Sequence, residues 1–466
     1  MSLIKSISGI RGTIGGQPGD NLTPPDLVAF VSAFSRQLHY KFPDIKNPQV
    51  VLGRDGRISG PLLHDLVRSL LCLSGISVLD IGLATTPTVE MMVIQEKAQG
   101  GIILSASHNP RQWNALKLLN ERGEFLDSVE AEELLKLAQD TEGTYPELDD
   151  LGVVTPLNMA LERHLEAILA LKLVDKQAIA KRNFKIVIDG INSVGSLAVP
   201  ALLKALGLNN FEIINAEING EFNHNPEPLD EHLGSIKEAV IKNKADLGIV
   251  VDPDVDRLAF IDENGIMFGE EYTLVAVADY VMHDYCPCFY QKISVSNLSS
   301  SRALKDITEK RGGAYYATAV GEVNVVAKMK ETGAVIGGEG NGGIIYPELH
   351  YGRDALVGIA LFLSSLAQSG SVMSEFKKQF PAYFMVKDRI DISVGLKVLE
   401  LLKMIKHNYP NQEIIEIDGI KIEWPDSWVH LRASNTEPII RIYAEANNLE
   451  LAQERVDEIK RIISSV

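Results

Sequence analysis

The sequence predicts an α/β protein with several domains. Over roughly the first 370 residues, short apolar runs typical of buried strands alternate with helical segments, which is the pattern of α/β domains. The remaining part, residues 371–466, combines strands with two helices and indicates an α+β unit. With 466 residues, the chain also exceeds what one hydrophobic core ordinarily supports. We therefore predict three α/β domains followed by an α+β domain.

The predicted domain boundaries fall where strand and helix patterns break off. Residues 140–150 are polar and rich in helix breakers, which marks the end of the first domain. The four domains are predicted as 1–150, 151–255, 256–370 and 371–466. The first three share one order of strand, loop and helix, which is compatible with an ancient internal repeat.

In the first domain, a helix is predicted over residues 24–40. Thr23 is a good N-cap, and Pro24 and Pro25 fit the first turn, where no backbone donor is needed. Apolar runs predict buried strands at 50–53, 77–81 and 101–104, and helical spacing predicts helices at 61–73 and 128–139.

The same patterns predict the elements of the other three domains. The second should contain a helix at 158–171 and strands at 185–189, 212–214 and 246–251. The third should contain strands at 258–261, 293–296 and 334–337. The fourth should contain helices at 396–406 and 449–464 and strands at 414–423, 428–432 and 439–444.

Composition excludes several classes of protein. The formal net charge of −17 argues against a nucleic acid or an anionic membrane as the main partner. Three cysteines provide no disulfide framework, and Cys286 and Cys288 are too close together and too isolated for a zinc site. No apolar run approaches about 18 residues, and the N-terminal residues lack a signal core. We expect a cytoplasmic protein with a small-molecule partner, and the sequence leaves its oligomeric state open.

Residues 105–110, with the sequence Ser-Ala-Ser-His-Asn-Pro, follow the predicted strand 101–104. Asn109 favours a turn and Pro110 has no backbone donor, so the strand should end there. A hydroxyl, an imidazole and an amide are then expected on a bend at a strand end, where parallel sheets commonly bind ligands. Taken alone, the pattern favours an ordinary loop, so a function for it depends on partners elsewhere in the chain.

Asp252, Asp254 and Asp256 follow an apolar strand, and Arg257 comes next. In an extended backbone this spacing turns all three carboxylates to one face, where they repel one another unless a cation lies among them. Carboxylates prefer hard cations, so we predict Mg²⁺, with Ca²⁺ as the competitor. An EF-hand loop is excluded because Arg257 takes the position that requires glycine. The alternative without function is a solvated acidic turn.

Residues 337–343, with the sequence Gly-Gly-Glu-Gly-Asn-Gly-Gly, follow another predicted strand. They contain the G-x-G-x-x-G spacing of dinucleotide-binding loops. However, the segment lies deep in the chain, and no acidic residue follows about 20 positions later. We favour instead a loop in which Glu339 and Asn341 contact the hydroxyl groups of a polyhydroxylated ligand.

Arg432 begins a polar loop, residues 432–438, between two predicted strands. Its guanidinium, the hydroxyls of Ser434 and Thr436 and the amide of Asn435 form a candidate phosphate site, with an ordinary turn as the alternative. The four motifs together indicate phosphoryl transfer involving a sugar phosphate, in a cleft between domains.

These four motifs, in this order and at this spacing, resemble those of the α-D-phosphohexomutase superfamily over the whole chain. The superfamily includes phosphoglucomutase, phosphomannomutase and phosphoglucosamine mutase. The resemblance implies three similar α/β domains with mixed sheets and a C-terminal α+β domain around a central cleft. It also implies interconversion of hexose 6-phosphate and hexose 1-phosphate through a phosphoserine enzyme and a hexose 1,6-bisphosphate intermediate.

The resemblance further implies roles for individual residues. Ser107, rather than Ser105, would carry the phosphoryl group and bind one Mg²⁺ together with Asp252, Asp254 and Asp256. Lys117 would transfer the proton, and His108 would either orient the phosphate or brace the turn. The other implied roles are cations near the reacting phosphate (Arg11 and Arg257), contacts to sugar hydroxyls (Glu339 and Asn341), and a site for the non-transferring phosphate (Arg432, Ser434, Asn435 and Thr436).

Some positions depart from the common pattern of the superfamily. Gly343 stands where many relatives have histidine, and Val323 stands where a basic residue is frequent. Ala115 and Pro253 each replace a common glycine. The first two lie in or near parts that contact the sugar, so they affect substrate identity more than chemistry. We expect glucosamine phosphate as the substrate, with mannose or glucose phosphate as the second choice.

Two other functions compete with this interpretation. An aspartate-nucleophile phosphotransferase would show D-x-D-x-[TV] after a strand. Asp252 and Asp254 fit that pattern, but Asp256 does not, and Ser107 would have no role. A sensor that only binds sugar phosphates would need neither the hydroxyl nucleophile nor the metal ligands.

Overall fold

The computed structural model describes residues 2–6, 9–140, 145–284, 291–391, 398–433 and 439–464. The chain forms two compact units, each made of two segments. The first comprises Met1–Thr273 and Asn341–Phe376, and the second comprises Leu274–Gly340 and Lys377–Val466.

The first unit begins with a seven-stranded mixed sheet. Its strands are β1 (Ile4–Ser6), β2 (Gly9–Thr13), β3 (Gln49–Arg54), β4 (Ser77–Leu83), β5 (Gly100–Leu104), β6 (Trp113–Leu119) and β7 (Val154–Pro156). Their spatial order is β1-β2-β6-β5-β3-β4-β7. Strand β3 pairs in parallel with β4 and β5, whereas β6 is antiparallel to β5 and β2. The loops that follow β3 and β5 therefore start at the same edge of the sheet.

Four helices accompany this sheet, namely α1 (Pro24–Lys41), α2 (Gly60–Leu73), α3 (Thr86–Glu96) and α4 (Ser128–Gln139). Thr23 is the N-cap of α1, as predicted, and Asp127 caps α4 through a capping box. Val31 of α1 shares one core with Leu52 and Ile102 of the central strands, and all three are fully buried. Burial on both faces explains why these strands are continuous apolar runs in the sequence.

A second sheet of the first unit consists of β8 (Ile186–Asp189), β9 (Phe211–Ile214), β10 (Leu247–Val251) and β11 (Leu258–Asp262). Its order is β11-β10-β8-β9, with β11 antiparallel to β10 and the other pairs parallel. The same part of the chain contains α5 (Ala160–Leu169), α6 (Lys176–Arg182), α7 (Gly195–Ala205) and α8 (Gly234–Asn243). The turn between β10 and β11 lies at the carboxyl end of β10.

Helix α9 (Glu270–Asp284) leads along the chain toward the second unit. There, β12 (Ile293–Asn297) pairs in parallel with β13 (Ala314–Thr318) and β14 (Ile336–Gly338). Helices α10 (Arg302–Lys310) and α11 (Glu322–Thr332) connect these strands. This is the strand-helix alternation that the sequence predicts.

The chain then supplies β15 (Ile344–Ile345), α12 (Ala355–Ser369) and α13 (Met373–Lys377). Helix α12 is apolar and buried over most of its surface, as expected of an internal helix. It begins at Asp354, whose Oδ1 accepts hydrogen bonds from the N–H groups of Leu356 and Val357 at 2.8 and 3.3 Å.

The C-terminal part contains β16 (Phe384–Asp391), α14 (Val398–His407), β17 (Glu413–Ile415), β18 (Ile420–Glu423), β19 (Ser427–Ala433), β20 (Ile439–Ala446) and α15 (Leu449–Ser464). The five strands are antiparallel in the order β16-β20-β19-β18-β17. Buried residues such as Ile405, Val429, Ile442 and Val456 join both helices and the sheet in one core.

The prediction of three α/β domains followed by an α+β domain is confirmed at the level of fold class. Helices α4 and α15 have the predicted bounds, whereas α3, β6 and β16 were not predicted. The predicted strand 414–423 is wrong: it is divided into β17 and β18. Gly419 between them has a φ of 70°, which a strand cannot continue. The start of the helix predicted at 396–406 lies partly outside the described residues. Within the described part of the chain, no helix has the length and apolar character of a membrane span.

Candidate active site

Ser107 lies in the tight loop after β5, and its φ of 48° is in the left-handed region. Its N–H donates to Ser105 Oγ at 2.9 Å, and the N–H of Asn109 donates to Ala106 O at 3.0 Å. These bonds close the bend that the Asn-Pro sequence predicts. A left-handed serine costs backbone energy, and such residues persist where the surrounding structure holds them.

Arg57 holds this loop from its buried side. Its guanidinium donates at 2.6–2.9 Å to four backbone carbonyls, those of Ser107, Asn109, Pro110 and Trp113. Its Nε also donates to Asp55 Oδ2 at 3.1 Å, and both side chains of this ion pair are fully buried. Arg57 follows β3, so the parallel pairing of β3 with β5 brings it next to the Ser107 loop.

The three aspartates lie fully buried in the turn between β10 and β11. The turn is not extended, because Val255 has a φ of 63° and its N–H donates to Asp252 O at 3.1 Å. The predicted extended backbone is therefore wrong. The carboxylates nevertheless converge, with one oxygen of each within 4.8 Å of the others. Asp252 Oδ1 stabilises the turn by accepting hydrogen bonds from the N–H groups of Asp256 and Arg257 at 3.1 and 3.0 Å.

Ser107 and Asp252 are in contact although 145 residues separate them in the chain. Ser107 Oγ donates to Asp252 Oδ2 at 2.6 Å. The loops of the two sheets are also joined through Ser193, whose Oγ accepts from the N–H of Gly56 at 3.0 Å and donates to Pro253 O at 2.6 Å. The structure thus brings the predicted nucleophile to the predicted metal ligands within one unit.

The carboxylates of this turn are mutually repulsive. Burial, followed by the charges of Asp256 and Asp254, raises the pKa of Asp252 well above its usual value. Asp254 Oδ1 and Asp256 Oδ1 are buried and accept no hydrogen bond from any described residue. Buried anionic oxygens without donors are the ligand set that a hard divalent cation requires. The residues present therefore fit Mg²⁺.

Lys117, on β6, bridges two of the aspartates. Its Nζ donates to Asp254 Oδ2 at 2.6 Å and to Asp256 Oδ2 at 3.3 Å. Burial lowers the pKa of Lys117, but Asp254 and Asp256 outweigh burial and raise the pKa above its usual value. At neutral pH the side chain is therefore a fixed ammonium group.

Three arginines add positive charge around the same turn. Arg353 Nη2 donates to Asp256 Oδ2 at 2.9 Å, and Arg257 Nη1 donates to Glu227 Oε1 at 2.9 Å. Arg11 lies on β2, and burial together with the charges of Arg257 and Arg353 lowers its pKa. In a chain with a net charge of −17, such a local group of cations is suited to a phosphoryl group.

His108 Nδ1 lies 3.4 Å from Ser107 Oγ. Burial, followed by the charges of Arg257 and Arg11, lowers the pKa of His108 well below its usual value. The ring is therefore a neutral imidazole, which can act as a hydrogen-bond partner of the serine side chain but adds no charge.

Glu339 and Arg432 belong to the second unit. Glu339 Oε1 accepts from Asn297 Nδ2 at 2.9 Å and from the N–H of Gly321 at 3.0 Å, so its carboxylate is held in place. Arg432 Nε lies 3.6 Å from Asp418 Oδ2. Ser434, Asn435 and Thr436 lie outside the described residues.

Asn341 belongs to the first unit, where its Oδ1 accepts from the N–H of Gly343 at 3.1 Å.

Three residues of the site, Arg57, Arg353 and Thr86, were not predicted from the sequence. Thr86 Oγ1 donates to Asp254 Oδ2, and the N–H of Thr86 donates to Asp254 O at 2.9 Å. Arg57, Arg353 and Thr86 each lie in or next to a polar loop, where such residues are most often solvated. Only their long-range contacts show that they belong to the site.

Comparison with protein families matches most of the chain in four consecutive parts. These are the phosphoglucomutase/phosphomannomutase alpha/beta/alpha domains I, II and III, at residues 3–144, 162–265 and 270–384, and the C-terminal domain, at residues 385–462.

Curated relatives agree with this assignment. The chain is 35% identical to a phosphoglucomutase/phosphomannomutase of Thermococcus kodakarensis, with 96% of each chain covered. It is 34% identical to a phosphoglucosamine/phosphogalactosamine mutase of Sulfurisphaera tokodaii, with 90% of this chain and 92% of the relative covered.

Solved structures share the fold. A phosphoglucomutase/phosphomannomutase family protein of Burkholderia thailandensis superposes with a TM-score of 0.82 at 23% identity, covering 99% of this chain and 98% of that one. An Aspergillus fumigatus N-acetylphosphoglucosamine mutase, in complex with GlcNAc-6P and magnesium, gives 0.62 at 14% identity, with coverage of 99% and 96%. Because four family matches span the chain and its relatives are mutases, this protein is a phosphomutase of the α-D-phosphohexomutase superfamily.

Proposed function

We propose that this enzyme interconverts hexose 6-phosphate and hexose 1-phosphate through phosphorylated Ser107 and a hexose 1,6-bisphosphate intermediate. The observation that carries the proposal is the 2.6 Å contact between Ser107 Oγ and Asp252 Oδ2, at the edge of a buried aspartate cluster. A hydroxyl nucleophile next to metal-type ligands and fixed cations is the arrangement that phosphoryl transfer requires.

Asp252, Asp254 and Asp256 would hold one Mg²⁺ together with the Ser107 phosphate. The metal, when bound, draws charge from the serine oxygen and so makes that oxygen a better leaving group. The magnesium named in the Aspergillus fumigatus complex supports this choice of ion. Burial and then the charges of Asp256 and Asp254 raise the pKa of Asp252, and a cation held by these residues would offset the two charges.

In the forward step, the bond between phosphorus and Ser107 Oγ breaks and a bond to the substrate hydroxyl oxygen forms. The proton of the substrate hydroxyl ends on Ser107 Oγ, so the step neither gains nor releases a proton overall. Lys117 is held as an ammonium group by Asp254 and Asp256, so it acts as a proton donor and a fixed charge rather than as a base. Arg11 and Arg257 stabilise the charge on the transferred group.

His108 orients the Ser107 phosphate in this proposal, because its neutral ring lies 3.4 Å from Oγ. Glu339 and Asn341 contact the sugar hydroxyls, and Arg432 with Ser434, Asn435 and Thr436 holds the non-transferring phosphate. The bisphosphate turns around between two half-reactions, which requires that both phosphate sites accept either end. The division into domains 1–150, 151–255, 256–370 and 371–466 and a cytoplasmic location belong to the same proposal.

Glucosamine phosphate is the proposed substrate. The relative from Sulfurisphaera tokodaii bears the name phosphoglucosamine/phosphogalactosamine mutase, which supports an amino sugar. The relative from Thermococcus kodakarensis is named phosphoglucomutase/phosphomannomutase, which supports the neutral hexoses. A panel of glucosamine, mannose, glucose and galactosamine 1-phosphates, ranked by kcat/KM, tests the preference, and equal rates across the panel would refute it.

The nucleophile is tested by Ser107→Ala with Ser105→Ala as the matched control. We expect Ser107→Ala to abolish both mutase activity and phosphoenzyme formation, whereas Ser105→Ala keeps measurable activity. A phosphoenzyme that persists in Ser107→Ala and is cleaved by hydroxylamine would instead identify an acyl phosphate on aspartate. Wild-type protein that binds sugar phosphates without isomerising them would favour a sensor.

A further inference from the structure

Arg353 reaches the aspartate cluster from the loop before α12. Its side chain is 11% exposed, and Nη2 donates to Asp256 Oδ2 at 2.9 Å. The same carboxylate oxygen accepts from Lys117 Nζ at 3.3 Å. Two cations from different parts of the chain therefore meet at one oxygen of a proposed metal ligand.

The backbone of Arg353 is fixed on two sides. Arg353 forms an isolated antiparallel bridge with Ile345, and the N–H of Asp354 donates to Ile344 O at 2.8 Å. The N–H of Ala355 donates to Val255 O at 3.2 Å, which ties the same segment to the aspartate turn. The backbone hydrogen bonds on both sides of Arg353 therefore fix the position from which its side chain reaches Asp256.

Buried polar groups also hold Asp354, the residue that follows Arg353. His164 Nε2 bonds to Asp354 Oδ2 at 2.9 Å, and His164 Nδ1 bonds to Thr88 Oγ1 at 3.0 Å. His350, on the same loop, lies 3.4 Å from Asp354 Oδ2 through its Nε2. Helices α3 and α5 therefore anchor the residue that follows Arg353.

Gly343 is required by the side chain of Arg353 and not by its own backbone. A Cβ atom at position 343 would lie 2.4 Å from Arg353 Cδ, 3.0 Å from Arg353 Cγ and 3.0 Å from Asn341 Oδ1, so Arg353 is its tightest neighbour and must move. Gly343 is not among the glycines with positive φ, so an alanine there would be acceptable to the backbone. Neighbouring Gly342 differs, because its φ is 77°.

We propose that Gly343 and Arg353 form a coupled pair, in which Gly343 leaves the space through which the Arg353 side chain reaches Asp256. Arg353 is thereby a positioning residue that fixes Asp256 and adds a permanent positive charge to the phosphoryl-transfer site. Any side chain at position 343 would displace the Arg353 side chain. This inference rests on the proposed function of the Ser107 site.

The electrostatics agree with this geometry. Burial raises the pKa of Asp256, but Arg353, Lys117 and Arg257 outweigh burial and hold the pKa below its usual value. Arg353 is the largest of these charge effects.

A double-mutant cycle with Gly343→Ala and Arg353→Ala tests the coupling. We expect Arg353→Ala to lower kcat by about 100-fold or more and Gly343→Ala by about 10-fold or more, with KM changed much less. Because both changes remove the same interaction, the double variant should be no slower than Arg353→Ala alone. Independent effects that multiply in the double variant would overturn the proposal, as would Arg353→Ala with kcat within about 3-fold of wild type.

Added guanidinium ion supplies a readout that a purely structural role would not change. It should restore part of kcat in Arg353→Ala, and Arg353→Lys should retain more activity than Arg353→Ala. Gly234→Ala and Arg182→Ala are the matched controls. A Cβ at position 234 has no neighbour within 4 Å. Arg182 lies outside the site, where it donates to the backbone carbonyls of Gly370 and Ser371 and stacks on the Phe184 ring. Both controls should keep wild-type kcat.

Unfolding is monitored for every variant by its Tm. If Arg353→Ala does not fold, Gly343→Ala and Arg353→Lys still test the proposal. Gly343→Ala keeps the arginine but crowds it, and Arg353→Lys keeps a cation at position 353. Absence of rescue by guanidinium in folded Arg353→Ala would refute the charge role. Absence of mutase activity in the wild type would instead refute the proposed function. Failure of the coupling between Gly343 and Arg353 is therefore distinguishable from failure of the proposed function.

Discussion

Arg57 and Ser107 are joined by a 2.6 Å hydrogen bond, from guanidinium Nη2 to the backbone carbonyl of Ser107. The interaction orders the loop without touching the hydroxyl group of the serine. A substitution of Arg57 should therefore affect the conformation of the Ser107 loop without directly removing a contact of the serine hydroxyl.

Arg57→Ala should destabilise the protein by about 3–5 kcal/mol, because it leaves the buried carboxylate of Asp55 without its cation. Arg57→Lys should recover part of this loss, since an ammonium group keeps the charge but cannot bond to all four carbonyls. Urea unfolding gives the free energies. Lys46→Ala, which removes an exposed ion pair with Asp150, is the control and should cost less than about 1 kcal/mol. Similar losses in the two alanine variants would contradict the role of Arg57.

Asp252→Asn should raise the Tm in Mg²⁺-free buffer by about 2–4 °C, because it removes one of three buried, mutually repulsive carboxylates. The same variant should lose most of the Tm increase that Mg²⁺ gives the wild type, since one ligand charge is gone. Thermal unfolding with EDTA or with Mg²⁺ measures both effects. Asp246→Asn, just before the other end of β10, is the control and should keep the full response to Mg²⁺. An unchanged response in Asp252→Asn would place the ion elsewhere.

Lys117→Met should lower kcat by about 10²–10⁴-fold, because the methionine side chain neither donates a proton nor carries a charge. In Mg²⁺-free buffer the variant should also unfold at a lower temperature, since Asp254 and Asp256 lose a buried counter-ion. Steady-state kinetics and Tm values are the measurements. Lys41→Met, which removes a partly exposed lysine paired with Glu121, should leave kcat unchanged. Retained activity in Lys117→Met would assign proton transfer to another group.

His430 predicts a pH dependence of stability in the second unit. Its Nδ1 bonds to Ser299 Oγ at 2.9 Å and its Nε2 to Asp418 O at 2.6 Å, a pattern that a neutral ring satisfies. Burial, together with the nearby charges of Lys421 and Arg432, lowers the pKa of His430 to about 4, although the hydrogen bond to Asp418 opposes this shift.

The unfolded chain would bind a proton on His430 near pH 6.5, whereas the folded chain binds it only near pH 4. The stability from neutral His430 is therefore present above pH 6.5 and lost as the pH falls toward 4. The Tm of the wild type relative to His430→Gln should decrease between pH 7 and pH 5. A constant difference across this range would show that His430 does not titrate in this way.

Much of the fold was predictable because burial leaves a local pattern. Strands β3, β5 and β10 are apolar runs because both of their faces are covered, and α4 and α15 have amphipathic spacing between clear caps or boundaries. Strand β16 was missed because its side chains are largely exposed or half-buried, which removes the apolar signal.

The candidate site was predictable as separate motifs and not as one assembly. The sequence by itself determined that Ser107 and the three aspartates follow buried strands, because apolar runs and turn residues are local properties of the chain. Only the tertiary structure decided that Ser107 bonds to Asp252, that Arg57 holds the nucleophile loop, and that Arg353 passes Gly343 to reach Asp256. Such contacts join residues up to 145 positions apart, and their geometry depends on strand order and on the exact turn at Val255. Neither leaves a periodic signal in the sequence.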